Sequence, residues 1–108
     1  MKQVFNKLVR DRIPEKIEAN GETCVTRVLD DDEYRIELIK KLEEEIIEVR
    51  LAADDPKELI EELADVFEVI DAIVKGFALD RAEIDQAQKK KLEKRGGFEQ
   101  RIFLESTR

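Results

Sequence analysis

The tightest constraint on this chain is a pair of helix-period runs separated by Asp54-Asp55-Pro56, each carrying carboxylates three or four residues apart. In KLEEEIIEV the acids include Glu44, Glu45 and Glu48, and in EELADVFEV they include Glu62 and Asp65. Residues at that separation share a helix face, so Glu45/Glu48 make one rung of carboxylates and Glu62/Asp65 another. A short break makes the two helices antiparallel neighbours, which lets the rungs face each other. Converging carboxylates repel unless a cation neutralises them, and an all-oxygen set suits magnesium, with manganese as the alternative. Glu45, Glu48, Glu62 and Asp65 are therefore the candidate metal ligands.

The competing reading is that these are solvated helix faces in a chain with 27 acidic residues. Two features weigh against it. Glu45 and Glu62 interrupt the margins of apolar stripes, where a buried carboxylate is costly unless it is paired or metal-bound. In addition, Lys40 and Lys41 precede Glu44 and Glu45, the less favourable order for ion pairs along a helix.

The helical pattern gives the first long helix from about residue 32 to residue 53, with Ile39, Leu42, Ile46, Val49 and Ala53 centring its apolar stripe at about 100° per residue. Leu38 and Glu45 fall at the edge of that stripe, and Glu44 falls well out toward solvent. The second long helix opens at Asp55-Pro56-Lys57-Glu58, a cap, a first-turn proline and a glutamate three on. It runs to about residue 75, with Leu59, Leu63, Val66, Phe67, Ile70, Ile73, Val74 and Phe77 as a broad apolar face. Asp80 and Glu83 cap a third long helix that Gly96-Gly97 stops near residue 95. A short helix is bracketed by Pro14 and Gly21.

The segment ETCVTRVL, residues 22 to 29, is rich in β-branched types and predicts a short strand, with FEQRIFLES near the C-terminus as its partner. The expected architecture is a single domain over residues 1–108. It is mainly α, an antiparallel helix hairpin with a small two-stranded β element. Two broad apolar faces leave a lone hairpin too exposed, so a homodimer or higher homo-oligomer should complete a four-helix bundle.

Composition removes whole classes of chemistry. With no histidine and one cysteine, Cys24, the chain has no histidine base, no histidine-ligated zinc, no Cys-His pair and no internal disulfide. Reactions are left to carboxylates, Lys, Arg, Tyr34 and a metal. The net charge of −7 argues against a nucleic-acid-coating surface, which needs clustered Lys and Arg. There is no signal peptide and no apolar run of membrane length, so the expected compartment is the cytoplasm, with no membrane partner.

Two basic stretches remain. Lys7, Arg10 and Arg12 lie on an irregular N-terminal arm, MKQVFNKLVRDR, as solvated charges or as phosphate contacts. Lys91 and Arg95 sit one turn apart before Gly96-Gly97, where they either complement the helix dipole or hold phosphates.

The spacing E-E-x-x-E followed by E-x-x-D resembles the signature of the all-α nucleoside triphosphate pyrophosphohydrolases, the superfamily of MazG, dimeric dUTPases and phosphoribosyl-ATP pyrophosphohydrolase. NKLVRDRIPE and KKLEKRGGFEQRI resemble stretches of a phosphoribosyl-ATP pyrophosphohydrolase-like subgroup, so the likeness covers nearly the whole chain. The resemblance implies a MazG-like fold and magnesium-dependent hydrolysis of a nucleoside triphosphate, or a related nucleotide, to monophosphate and pyrophosphate, as in house-cleaning of non-standard nucleotides. It further implies that Glu48 or Glu44 takes the proton of the attacking water, and that Lys91 and Arg95 balance the pyrophosphate. The long arm departs from phosphoribosyl-ATP pyrophosphohydrolase itself, so the reaction type carries over and the particular substrate does not. A non-catalytic, dimeric nucleotide-binding or regulatory protein is the alternative.

Overall fold

A computed structural model describes residues 3–108. The chain is mainly α: α1 is Ile13–Ala19, α2 is Asp31–Leu51, α3 is Pro56–Gly76 and α4 is Arg81–Arg95. It divides into two compact units, the first ending at Ala78 and the second spanning Leu79–Arg108. Among the described residues, no helix is long and apolar enough to cross a membrane.

Local chemistry sets the helix boundaries. Asp30, Asp55 and Asp80 each turn an extended residue into a cap, their carboxylates accepting from the backbone N–H of Glu33 at 2.9 Å, Lys57 at 3.1 Å and Ala82 at 2.9 Å. Each cap satisfies a donor that the first helical turn would otherwise leave orphaned. Pro56 costs nothing at its position, because the N–H it lacks would have no partner there. At the other ends, Gly21 and Gly96 take φ of 85° and 79°, a left-handed conformation that favours glycine.

α2 and α3 pack against each other as the body of the first unit. Their close approach centres on Gly76, where a Cβ would stand 2.9 Å from Leu38 Cδ1 and 3.2 Å from the Tyr34 ring. The Arg35 guanidinium Nε donates to the Gly76 carbonyl at 3.0 Å, tying the start of α2 to the end of α3. The pair is therefore antiparallel, as the short Asp-Asp-Pro break requires.

The buried seam is rotated from the expected stripe. Leu38, Glu45 and Ala52 are the buried residues of α2 or its cap, Leu42 and Val49 are half-buried, and Ile39 and Ile46 are exposed. Glu45 thus stands inside the seam and not at its edge. On α3, Val69 and Val74 are buried, while Ile60, Leu63 and Phe67 are exposed. The physical reason is that α2 is apolar on two sides, so a single averaged stripe falls between the packed side and the open one.

The expected β element does not form: among the described residues there is no strand. Residues 22–29 and 98–108 contain no helix, and Val25, Val28, Phe98 and Phe103 stand almost fully exposed. β-branched composition supplies a preference only, and an isolated strand pair without a packed face is marginal.

Candidate metal centre

Burial brings three of the expected carboxylates together. Glu45 on α2 and Glu62 and Asp65 on α3 each offer an oxygen, and these oxygens lie within 4.8 Å of one another. The antiparallel register places Glu45 opposite the Glu62/Asp65 rung, as Gly76 stands opposite Tyr34 and Leu38 at the other end. Glu45 is only 8% exposed, and Glu62 and Asp65 are half-buried. Glu48, expected as a fourth ligand, is exposed and lies outside this set. Its charge nevertheless bears on Glu62.

The electrostatics of Glu62 show how poorly the cluster is neutralised from within. Desolvation holds its carboxyl above the ordinary value, and the negative charges of Asp65, Glu45, Glu48 and Glu58 push it the same way. No ion pair to Glu62 occurs among the described residues. Its neighbours fare better: Arg10 reaches Asp65 at 2.6 Å, and Lys41 stands 3.6 Å from Glu45. Lys7 donates to Glu44 at 3.2 Å, with Lys41 3.5 Å away.

Glu44 was expected in solvent, but it is half-buried between Lys7 and Lys41. Partial desolvation pushes its carboxyl up. The hydrogen bond from Lys7 and the charges of Lys41 and Lys7 outweigh this and hold it below the usual carboxylate range. Although Lys41 precedes Glu44 and Glu45 in the less favourable order for helix ion pairs, it stands 3.5 Å from the one and 3.6 Å from the other.

The basic residues of the arm part ways. Lys7 and Arg10 lie on the carboxylates, one against α2 and the other against α3, and Lys7 also sits 5.7 Å above the Phe5 ring. Arg12 is exposed and precedes α1 as its N-cap residue. Lys91 and Arg95 are exposed on α4 in the second unit.

Whether these residues suit a divalent cation turns on donor chemistry. Three oxygen donors converge from two helices, one of them buried and another carrying a raised carboxyl with no cation against it, which fits magnesium or manganese. A pH dependence follows for the metal-free protein. The folded-state value of Glu62 lies above its unfolded value of 4.5, so the folded chain takes up this proton first as pH falls. The strain from ionised Glu62 is therefore present at neutral pH and disappears as pH falls through the raised value toward 4.5. Glu44 runs the other way: its contribution is present above 4.5 and is lost below. Without metal, Glu62→Gln should melt higher than wild type at neutral pH, the gap closing as pH approaches 4.5. Melting curves over pH for both proteins check this, and a gap independent of pH would show that Glu62 is unperturbed.

Comparison with known proteins adds little about activity. No family model and no solved structure matches the chain. An uncharacterized protein of Mycolicibacterium smegmatis is 59% identical over 46 residues, which cover 43% of this chain and 47% of that protein. The chain thus matches about half the length of this relative.

Proposed function

We propose that this chain is a MazG-like, magnesium-dependent nucleotide pyrophosphohydrolase of the cytoplasm. It would cleave a nucleoside triphosphate or related nucleotide to the monophosphate and pyrophosphate. The observation that carries this reading is the convergence of Glu45, Glu62 and Asp65, with a raised Glu62 carboxyl that lacks a cationic partner. The resemblance of the arm and of the basic stretch before Gly96-Gly97 supports the same reading.

Glu45, Glu62 and Asp65 would hold the ion, and Glu48, whose charge bears on Glu62, would serve it. When bound, magnesium neutralises phosphate charge and activates water for attack on phosphorus. Of the two candidate bases, Glu44 is engaged by Lys7 and Lys41, which hold its carboxyl low and weaken it as a proton acceptor. Glu48 is exposed and has no such pair among the described residues, so Glu48 would take the proton from the attacking water. The bond between the first and second phosphates then breaks, and pyrophosphate leaves with the electron pair. Arg10 and Lys7, already beside the carboxylates, would contact the phosphates.

A homodimer belongs to this proposal. At about 100° per residue, Ile36, Ile39, Ile46 and Ile47 share the side of α2 away from the Leu38/Glu45/Ala52 seam, and all of them are exposed. A second copy would cover them and complete a four-helix bundle, each large aliphatic side chain contributing about 1.5–3 kcal/mol when fully buried.

The deciding experiment is pyrophosphate release over a panel of common and modified nucleoside triphosphates with magnesium. Release from at least one of them is expected. Stoichiometric nucleotide binding without release would instead favour a non-catalytic binding partner.

Lys91 and Arg95 carry a separate expectation. Exposed near the end of α4, each gains only about 0.3–1 kcal/mol from the helix dipole. Melting temperature should thus barely change in Lys91→Gln and Arg95→Gln. If they balance charge on the leaving pyrophosphate, kcat/KM should fall about tenfold for each ~1.4 kcal/mol of transition-state stabilisation lost. Wild-type turnover in both variants would leave them as a solvated helix end.

A further inference from the structure

The arm that precedes α1 is tied to both long helices chiefly by its cations. Lys7 donates to Glu44 on α2 at 3.2 Å, and Arg10 donates to Asp65 on α3 at 2.6 Å. Three residues of extended chain span at most about 10 Å, and packed helices lie about 8–10 Å apart, so the step from Lys7 to Arg10 matches the width of the pair. Little else holds the arm. Of residues 3–12 only Leu8 is even half-buried. Among the described residues, residues 3–9 make no backbone–backbone hydrogen bond. A cavity of about 550 Å3 separates the arm from the helices, with Leu8 and Arg10 on one side and Leu38, Glu45 and Asp65 on the other.

Resting on the metal reading above, we infer that the arm is a strap displaced by the cation: Arg10 and Lys7 stand in for the ion in the metal-free chain, and the ion's arrival releases them. Asp65 belongs to the converging oxygen set, so Arg10 engages an oxygen that the ion needs. A divalent ion brings two positive charges among those oxygens and repels a guanidinium in contact with one of them. The strap yields because its pairs are weak. The Arg10 side chain is 57% exposed, and water screens such a pair while ordering the long side chain costs entropy. Lys7 is likewise exposed, and Glu44 keeps Lys41 when Lys7 leaves. Lys41 itself is half-buried on α2, so release is confined to the arm. The coupling sets an order of events: the arm's cations become available to an anionic ligand only once the ion is seated. It is also reciprocal, so the strap weakens magnesium by the factor by which magnesium weakens the strap.

Amide relaxation of the 15N-labelled full chain tests this, with magnesium chloride as the probe and potassium chloride at matched ionic strength as its control. Calorimetry on the same samples reads magnesium binding. In the wild-type chain, order parameters from Phe5 to Val9 should drop from the rigid range near about 0.85 to below about 0.6 as magnesium saturates, and should hold in potassium chloride. Arg10→Gln should show the loosened arm without any divalent ion and no further response to magnesium. It should also bind magnesium about threefold tighter, the scale of an exposed ion pair. Lys41→Gln removes a cation beside Glu45 that is not on the arm, so the arm should still respond to magnesium in that variant.

The wild-type measurement does not depend on either variant folding. If magnesium binds and the arm stays rigid, the strap is overturned while the metal centre stands. If potassium chloride loosens the arm as much as magnesium does, or if Arg10→Gln keeps a rigid arm, the strap is overturned as well. If calorimetry shows no magnesium binding, the metal reading itself fails and the strap fails with it.

Discussion

Glu45→Gln is expected to lower metal-dependent turnover by at least about a hundredfold, while Glu44→Gln should cost no more than about tenfold. The two residues are adjacent, carry the same charge and differ only in what surrounds them. Glu45 lies inside the α2–α3 seam, 8% exposed, with an oxygen within 4.8 Å of oxygens on Glu62 and Asp65. Glutamine keeps its volume and removes the negative charge that a cation needs. Glu44 lies outside that oxygen set, held by Lys7 and Lys41. Its loss frees those cations without removing a ligand. A structural readout should move in parallel: the magnesium-dependent rise in melting temperature should vanish in Glu45→Gln and persist in Glu44→Gln. Equal losses of turnover in the two variants would assign the proton-accepting role to Glu44, and an intact magnesium response in Glu45→Gln would remove Glu45 from the ligand set.

The legible parts of this structure were those with short-range causes. Asp55-Pro56 and Asp80 announce helix starts because a cap and its N–H partners lie within three residues, and the structure has Pro56–Gly76 and Arg81–Arg95 where those signals point. Pairing of Glu45 with the Glu62/Asp65 rung was legible for a similar reason, since helix period and one short break determine it. The rotation of α2 was not. Ile39 and Ile46 belong to an open apolar side, Leu38 and Ala52 to the packed one, and a wheel that averages both puts its centre between them. Only the partner helix decides which side is buried. The arm was illegible for another reason: Lys7–Glu44 and Arg10–Asp65 join residues 37 and 55 positions apart, and no local pattern encodes such pairs. The strand expectation failed because residue type was its only support. Val25 and Val28 have the right side chains and no packed surface to lie against.

Magnesium is expected to raise the melting temperature of the metal-free protein, and excess EDTA to abolish turnover. A cation that binds the folded chain alone stabilises it by about 2.7 kcal/mol at a hundredfold excess over Kd. In a chain of this size each kcal/mol is about 4–8 °C, so the shift should be on the order of 10 °C. Part of any rise will be unspecific, because a chain of net charge −7 repels itself and added salt screens that repulsion. Matched ionic strength in KCl separates the two effects: screening responds to either salt, whereas ligation saturates with magnesium only. Arg10 opposes the ion, since its guanidinium already lies 2.6 Å from Asp65, and the ion must share or displace that contact. Glu62→Gln is the decisive control. Glu62 has no ion pair among the described residues, so the substitution breaks none while deleting one oxygen anion from the set. It should flatten the magnesium titration and leave the KCl response in place. Full turnover in excess EDTA, or a melting response to magnesium no greater than that to KCl, would remove the cation from the mechanism and leave the acids as a cluster neutralised by Arg10, Lys7 and Lys41.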